Sequence, residues 1–410
     1  QYSRDTNTFI GAGNAWVSPT IVFLSGSSPI EAFGRYWVEN GLDKSKTLYS
    51  KLGETLFERL STSVLLKYDF DFVAPKTGDR SKVFSNLTAE LDNLPSPVML
   101  HLVDYWNPPE TNRRPDGGVF DTNYPEFLPP REEFGGTVAF KGFLGAARWR
   151  GLPIMPYTNP TCWGKESASY RQFGDEVAAR NLDGSVAMGW GMVTVTPTHP
   201  QVIAKNRANL EGFTGEFKVD LLFEDQVGAR SHCYDFSPYA IHPAGYIQGL
   251  ISHAKEASAK IPLMTERGFD HLVPYESGFC GIELGLSCTR HMPGWEWDAY
   301  YGKGNWRVFP FDTLFVSSYA ALYHHDLGQF VLTKGDISWC LAKGYNMTYP
   351  YGFPRNQLEV CDAFQKAVCS RYFGVKAKSF EYLNENVTKT VFPKVTIYAN
   401  HSPDTTFDHD

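Results

Sequence analysis

The sequence predicts an α/β fold, a (β/α)8 TIM barrel with a short C-terminal β extension. Short apolar runs alternate with amphipathic helical stretches through about eight βα units, the pattern of a parallel sheet wrapped by helices. The longest loops, 107–133, 160–196 and 267–312, each follow a presumed strand, which in a barrel gathers them on the face where active sites are built. No glycine-rich phosphate fingerprint follows an early strand, which sets aside the doubly wound alternative. On this reading residues 1–376 form the barrel and 377–410 the β extension.

The elements follow in order. Thr20–Leu24 reads as the first strand and Pro29–Asn40 as its amphipathic helix. A helical stretch over Leu48–Leu60 leads into the apolar run Ser63–Phe70, and one over Lys82–Leu91 leads into Pro97–Trp106. Phe134–Trp149 reads as helix and Leu152–Asn159 as strand; residues 198–214 read as helix before the strand Val219–Gln226. Pro243–Ala259 precedes the strand Ile261–Glu266 in the same way. The next strand is Thr313–Ser317 or Ala320–His324, followed by helix Ile337–Lys343, strand Tyr345–Tyr351 and a last helix Asn356–Phe373. Phe380–Leu383, Val387–Val391 and Lys394–Ala399 alternate with period two and form the extension.

Composition narrows the function. Of 410 residues 42% are hydrophobic and 20% charged, enough for a large core and too apolar for wholesale disorder. A net charge of −7 argues against nucleic-acid or anionic-membrane partners, and no apolar run reaches the roughly 18 residues that cross a bilayer. Aromatic content is 15%, with 10 Trp and 22 Tyr, which suits a protein that stacks flat hydroxylated ligands. The seven cysteines contain no CxxC pair, so a structural zinc is not expected, whereas Cys280/Cys288 and Cys361/Cys369 have spacings a disulfide can close. Four N-x-S/T sequons, at Asn86, Asn346, Asn386 and Asn400, and a start at Gln1 rather than Met fit a processed, secreted glycoprotein. The oligomeric state is not legible.

The chemistry concentrates in VDLLFEDQVG. A buried strand ends in Glu224, Asp225 and Gln226, and period-two alternation puts Asp225 on the face of Leu221 and Phe223 with Glu224 on the other. The following strand, in IPLMTERG, ends in Glu266. Adjacent parallel strands lie about 4.8 Å apart. Carboxylates at their tips can therefore reach the roughly 5–5.5 Å separation of a retaining glycosidase, one as nucleophile and the other as general acid and then base. Glu276 and Asp326 are candidate substrate-binding residues, and Glu276 also rivals Glu266 as acid/base, since it too follows that strand. Asp104, beside Trp106 at the end of HLVDYWN, is a candidate for binding sugar hydroxyls, while Asp220 opens its strand and reads as structural. Trp106, Tyr157, Trp163, Trp190 and Tyr323 lie on or beyond strand ends as candidate stacking platforms, with Asn159, Gln226 and His324 as polar partners. His324, His325 and Asp326, like His232, Cys233, Asp235 and His242, complete no metal-ligand spacing, and no G-x-S-x-G elbow offers a serine nucleophile. No cofactor is expected. Two other readings stay open: a non-catalytic carbohydrate-binding barrel, and a metal-dependent hydrolase using His324 and its neighbours.

The succession VDLLFEDQVG, Cys233–Asp235 with His242 downstream, then LMTERG resembles a largely uncharacterised family of glycoside-hydrolase-like barrel domains. That family is distantly similar to the endo-α-N-acetylgalactosaminidases and other α-retaining barrel glycosidases. SPTIVFLSGSSPIEAFGRYWVENGL, YTNPTCW, ALYHHD and VTIYANHS extend the resemblance over most of residues 18–402. It implies Asp225 as nucleophile, Glu266 as acid/base and a carbohydrate substrate. Family members commonly carry a β-sandwich before the barrel and a fuller β-domain after it, and this sequence departs from them at both ends.

Overall fold

A computed structural model describes residues 12, 13, 15, 28–73, 79–95, 97–109, 121–230, 233–281, 310–324, 334–352, 354–402 and 406–408. In chain order its strands are β1 (Val64–Asp69), β2 (Val98–Val103), β3 (Ile154–Thr158), β4 (Cys162–Trp163), β5 (Met188–Gly189), β6 (Met192–Thr194) and β7 (Leu222–Gly228). They continue as β8 (Leu263–Arg267), β9 (Glu276–Cys280), β10 (Ala321–Tyr323), β11 (Thr348–Pro350), β12 (Ser379–Tyr382), β13 (Val387–Val391) and β14 (Thr396–Asn400). Eight of them form one sheet in the order β10-β9-β8-β7-β3-β2-β1-β11, the (β/α)8 barrel fold, with β12–β14 as the C-terminal β extension.

The described chain divides into two compact units. The first holds residues 67–94 and 99–265 together with the described part of 1–27. In it β2 pairs with β3 in parallel (Leu100 with Ile154) and β3 with β7 (Tyr157 with Phe223). Runs such as VMLHLV and IMPYT are buried at every position, as central parallel strands covered on both faces must be. Asp220 is structural, its carboxylate accepting from the Ile154 amide at 2.9 Å. The expected helix over 198–214 is α-helical for Pro200–Glu211 and ends in a π-helical turn, Gly212–Phe217, closed by Lys218 in the left-handed region. The stretch 160–196 is more than a loop. It builds a small antiparallel sheet, β4-β6-β5, and a helix, Ala168–Phe173, over their own core of Trp163, Tyr170, Val177, Val193, Val195 and Val202.

The second unit holds 28–66, 95–98 and 266–410. Ser28 caps helix Pro29–Glu39 in a capping box with Glu31, with Pro29 in the first turn where its missing N–H costs nothing. Gly53, at φ 72°, breaks the expected helix 48–60 into Leu48–Leu52 and Glu54–Ser61. β9 and β10 pair in parallel, Tyr323 bridges to Asn346 ahead of β11, and the Leu65 amide donates to Met347, so the ring of strands returns to β1.

Several expectations change. The strand expected at Thr20–Leu24 lies outside the described residues. Among the described residues the large sheet also contains β9, inside the stretch 267–312 expected as loop; ESGFC is short and carries Ser277 and Gly278 in its middle, so it has neither the length nor the β-branched content of a strand signal. Of the two strand alternatives, Ala321–Tyr323 is correct, and Asp312–Val316 is a π-helical turn. The Cys361–Cys369 disulfide does not form. Cys369 is a free buried thiol, donating to Tyr345 O at 3.7 Å and accepting from the Tyr372 hydroxyl at 2.9 Å. Cys288 of the other expected pair is outside the described residues. The Asn346 sequon is buried, its amide donating to Leu322 O at 3.0 Å and accepting from Gln365 at 3.1 Å, so the folded protein has no room for a glycan there.

Candidate functional site

Within the first unit the site is built around the tip of β7. Alternation along LFEDQVG sends Glu224 and Asp225 to opposite faces, as expected. Glu224 turns outward to helix Tyr246–Ser258, where its Oε1 meets His253 Nε2 at 2.8 Å. Burial acts against the charged imidazole, but the neighbouring Glu224 carboxylate and its hydrogen bond outweigh it and hold the His253 pKa above the ordinary value.

Asp225 faces the other way and is 1% exposed. Its Oδ2 accepts from the Tyr157 hydroxyl at 2.8 Å and from Asn159 Nδ2 at 3.0 Å. Both donors come from the end of β3, the strand paired with β7, two residues apart on one face. The donors are themselves held. The Tyr124 hydroxyl donates to the Tyr157 oxygen at 2.9 Å, and Asn159 Oδ1 accepts from the Thr161 amide at 2.9 Å. Burial and the Asp225 charge push the Tyr157 phenol well above its usual range, so it stays a proton donor to the carboxylate.

A second acidic group stands at the tips of β1 and β2. Asp104, buried and at φ 63°, is hydrogen-bonded to Asp69. Burial first, then the charges of Asp69 and Asp71, raise the Asp104 pKa well above the carboxylate range, with Lys67 pulling the other way. Arg131, wholly buried, pairs with Asp71 and Glu133 from the loop after β2.

The structure sorts the sequence candidates. Asp225, Tyr157 and Asn159 come together, although Tyr157 contributes its hydroxyl rather than a stacking face. Gln226 follows Asp225 in the left-handed region (φ 63°), its side chain turned to Arg230. Trp106 packs on Tyr157 (centroids 5.6 Å apart, 22° between planes) and edge-on to Tyr124 and Phe127, with no exposed surface for a sugar. Trp163 is likewise spent in the core of the small sheet.

In the second unit Glu266 is half-buried at the tip of β8 and is followed by Arg267 at φ 54°. Glu276 opens β9 rather than closing a strand, which puts it at the end of the sheet away from the strand tips. It lies beside Lys51, whose Nζ donates to the carbonyls of Val273, Glu276 and Tyr319 at 2.5–2.7 Å. Tyr323 is buried in register with Cys280, its phenol pushed up by burial, and His324 follows it with 5% exposure. Among the described residues no three His, Cys, Asp or Glu side chains are grouped to hold a metal ion; His232, His325 and Asp326 lie outside them.

Asp69, Tyr124 and Arg230 were not anticipated. Asp69 ends a buried strand as Asp104 does, and the same rule would have found it. Tyr124 and Arg230 reach the site from loops and carry no local signal.

The model of a family described as a domain of unknown function, DUF6259, matches residues 75–324, more than half of the chain. The chain belongs to this family. No curated protein matches it. Among solved structures, it is similar to the ligand-free alpha-N-acetylgalactosaminidase NagBb from Bifidobacterium bifidum, with a TM-score of 0.70 at 15% identity, covering 91% of this chain and 62% of that one. An alpha-amylase from Lactobacillus plantarum superposes with a TM-score of 0.57 at 11% identity over 85% and 90% of the two chains. A GH36 alpha-galactosidase, AgaA, from Geobacillus stearothermophilus gives 0.54 at 10% identity over 85% and 46%. The chain thus spans less than two thirds of the length of the bifidobacterial protein. All three are glycoside hydrolases, and at these identities what they share with this chain is the barrel.

Proposed function

We propose that this DUF6259 protein is a retaining glycoside hydrolase in which Asp225 is the nucleophile and Glu266 the acid/base. The observation that carries the reading is the placement of Asp225. One carboxylate at the tip of β7 is turned away from the helices and aimed by two donors from the adjacent strand, while its neighbour Glu224 is neutralised by His253. The glycosidase folds of the structural neighbours support the same class.

Glu266 protonates the departing glycosidic oxygen as Asp225 attacks the anomeric carbon, giving a covalent glycosyl ester; Glu266 then takes a proton from the water that releases the sugar. Glu276 is unsuited to the acid/base role because it begins its strand. The Asp69–Asp104 pair offers polar groups to sugar hydroxyls, while Asn159 is buried and committed to Asp225 and Thr161. The neighbours make α-linked N-acetylgalactosamine, galactose and glucose the first sugars to test.

The test is a panel of aryl α-glycosides with the product anomer followed by NMR. Turnover with retention is expected, and Asp225→Asn and Glu266→Gln should each lower kcat by about 10³-fold or more with the fold intact. Inversion, or full activity in either variant, refutes the assignment. Glycan binding without any product would identify a carbohydrate-binding barrel instead.

A further inference from the structure

We propose that Arg230 is a positioning residue for Asp225, acting through Gln226. The inference rests on the reading of Asp225 as the nucleophile.

Gln226 directly follows Asp225 and sits at φ 63°, where a residue with a Cβ pays roughly 1–2 kcal/mol. That backbone persists only if something over-determines it. The Gln226 side-chain oxygen is the anchor. It accepts from Arg230 Nε at 3.0 Å and from Arg230 Nη2, and the Thr161 hydroxyl lies at 3.4 Å. The same Thr161 hydroxyl is 2.8 Å from Asn159 Oδ1, and Asn159 holds Asp225 Oδ2. Arg230 therefore reaches the carboxylate along the backbone from residue 226, while the Thr161 hydroxyl gives its one proton to Asn159.

The guanidinium is itself located by the small sheet. Nη2 donates to Cys162 Sγ at 3.0 Å and Nη1 to Thr194 Oγ1 at 3.5 Å, and Cys162 and Thr194 are paired across β4 and β6. Gly189 of β5 supplies the space, since a Cβ there would stand 2.8 Å from Nη2. Its donors go to the Gln226 amide oxygen, the Cys162 and Cys233 thiols and the Thr194 hydroxyl. The guanidinium is half-buried on neutral acceptors that a neutral donor would satisfy equally. The cation is explained if its charge serves the carboxylate one residue from Gln226. Cys162 lies within reach of both charges, its thiol pKa pushed up by burial, pulled down by Arg230 and pushed up by Asp225.

The test uses Arg230→Met, Arg230→Lys and Gly189→Ala in the full chain, the last displacing the guanidinium from an accessible hairpin while leaving Arg230 intact. With an activated aryl glycoside, Arg230→Met should lower kcat about 10–100-fold with KM within about twofold. Arg230→Lys, which restores charge without the fork, should recover part of that loss, and Gly189→Ala should fall between wild type and Arg230→Met. A crystal structure of Arg230→Met should show residue 226 out of the left-handed region or Asn159 withdrawn from Asp225. Unchanged kcat, or a rise in KM alone, overturns the proposal; the latter would make Arg230 a substrate-binding group. If the wild type turns over no glycoside, the proposed function fails, and the crystal structure still decides. An unmoved Gln226 and an intact Asn159–Asp225 contact then overturn the clamp, and their displacement supports it.

Discussion

Tyr157→Phe removes one oxygen from the middle of a buried chain. In the wild type the Tyr124 hydroxyl donates to Tyr157 at 2.9 Å and Tyr157 donates to Asp225 at 2.8 Å. The ring itself is fully buried against Trp106 and Phe223, contacts that phenylalanine keeps, so no cavity opens beyond the hydroxyl. Two terms remain. A hydrogen bond to a charged group contributes about 1.5–3 kcal/mol. Leaving the buried Tyr124 hydroxyl without its acceptor costs about 1–3 kcal/mol more, less whatever it regains by rotating. The expected loss is about 2–4 kcal/mol at pH 7, read by urea denaturation with coincident fluorescence and circular dichroism transitions. Asp225 would then rest on Asn159 as its remaining donor from β3 and swing, lowering kcat about 10–100-fold. A variant within about 0.5 kcal/mol of wild type and equally active would show that the Tyr124–Tyr157–Asp225 chain neither stabilises the fold nor aims the carboxylate.

Two further perturbations test the surrounding electrostatics. The raised His253 pKa means the folded state holds its proton more tightly than the unfolded chain, so the Glu224–His253 pair contributes fully below the unfolded value, about 6.5, and is lost as pH rises through the folded one. His253→Leu should cost roughly 3–5 kcal/mol at pH 6, less at pH 8, and be largely recovered by adding Glu224→Gln, which removes the stranded carboxylate; a pH-independent penalty would refute the pairing. Arg131→Met leaves Asp71 without its buried cation and Glu133 with Arg80 alone, and should cost about 1.5–3 kcal/mol by denaturant titration. A loss under about 1 kcal/mol would mean the two carboxylates are screened by water instead.

The parts of this molecule legible in the sequence are those governed by periodicity. Apolar runs bounded by helical patterns located seven of the eight strands described in the large sheet within a few residues, and period-two alternation separated Asp225 from Glu224 with the correct faces. What failed were inferences from mere position after a strand. Glu276 follows β8 in sequence, yet five residues of weak strand character turn it into the first residue of β9. The aromatic residues near strand ends were ambiguous for a different reason. A loop that folds back over a barrel needs large side chains beneath it just as a sugar needs them above, and in Trp106 and Trp163 the loop took them.

The backbone at the strand tips was illegible altogether. Six non-glycine residues among those described have positive φ, and three of them, Asp104, Gln226 and Arg267, stand at the tips of β2, β7 and β8. Glycine would relieve each at no steric cost, and none of the three is glycine, so a glycine-based search for turns passes over these positions. The conformations are nonetheless costly, roughly 1–2 kcal/mol apiece, and each coincides with or directly follows a candidate acidic residue: Asp104 itself, Asp225 and Glu266. Strain repeated at carboxylate-bearing tips is what a fold retains when the direction of a side chain matters more than its own stability. The proposed roles of Asp225 and Glu266 draw support from that coincidence as well as from sequence resemblance. It also makes the dihedral of residue 226, rather than the identity of any side chain, the most sensitive gauge of whether Asp225 is held for chemistry.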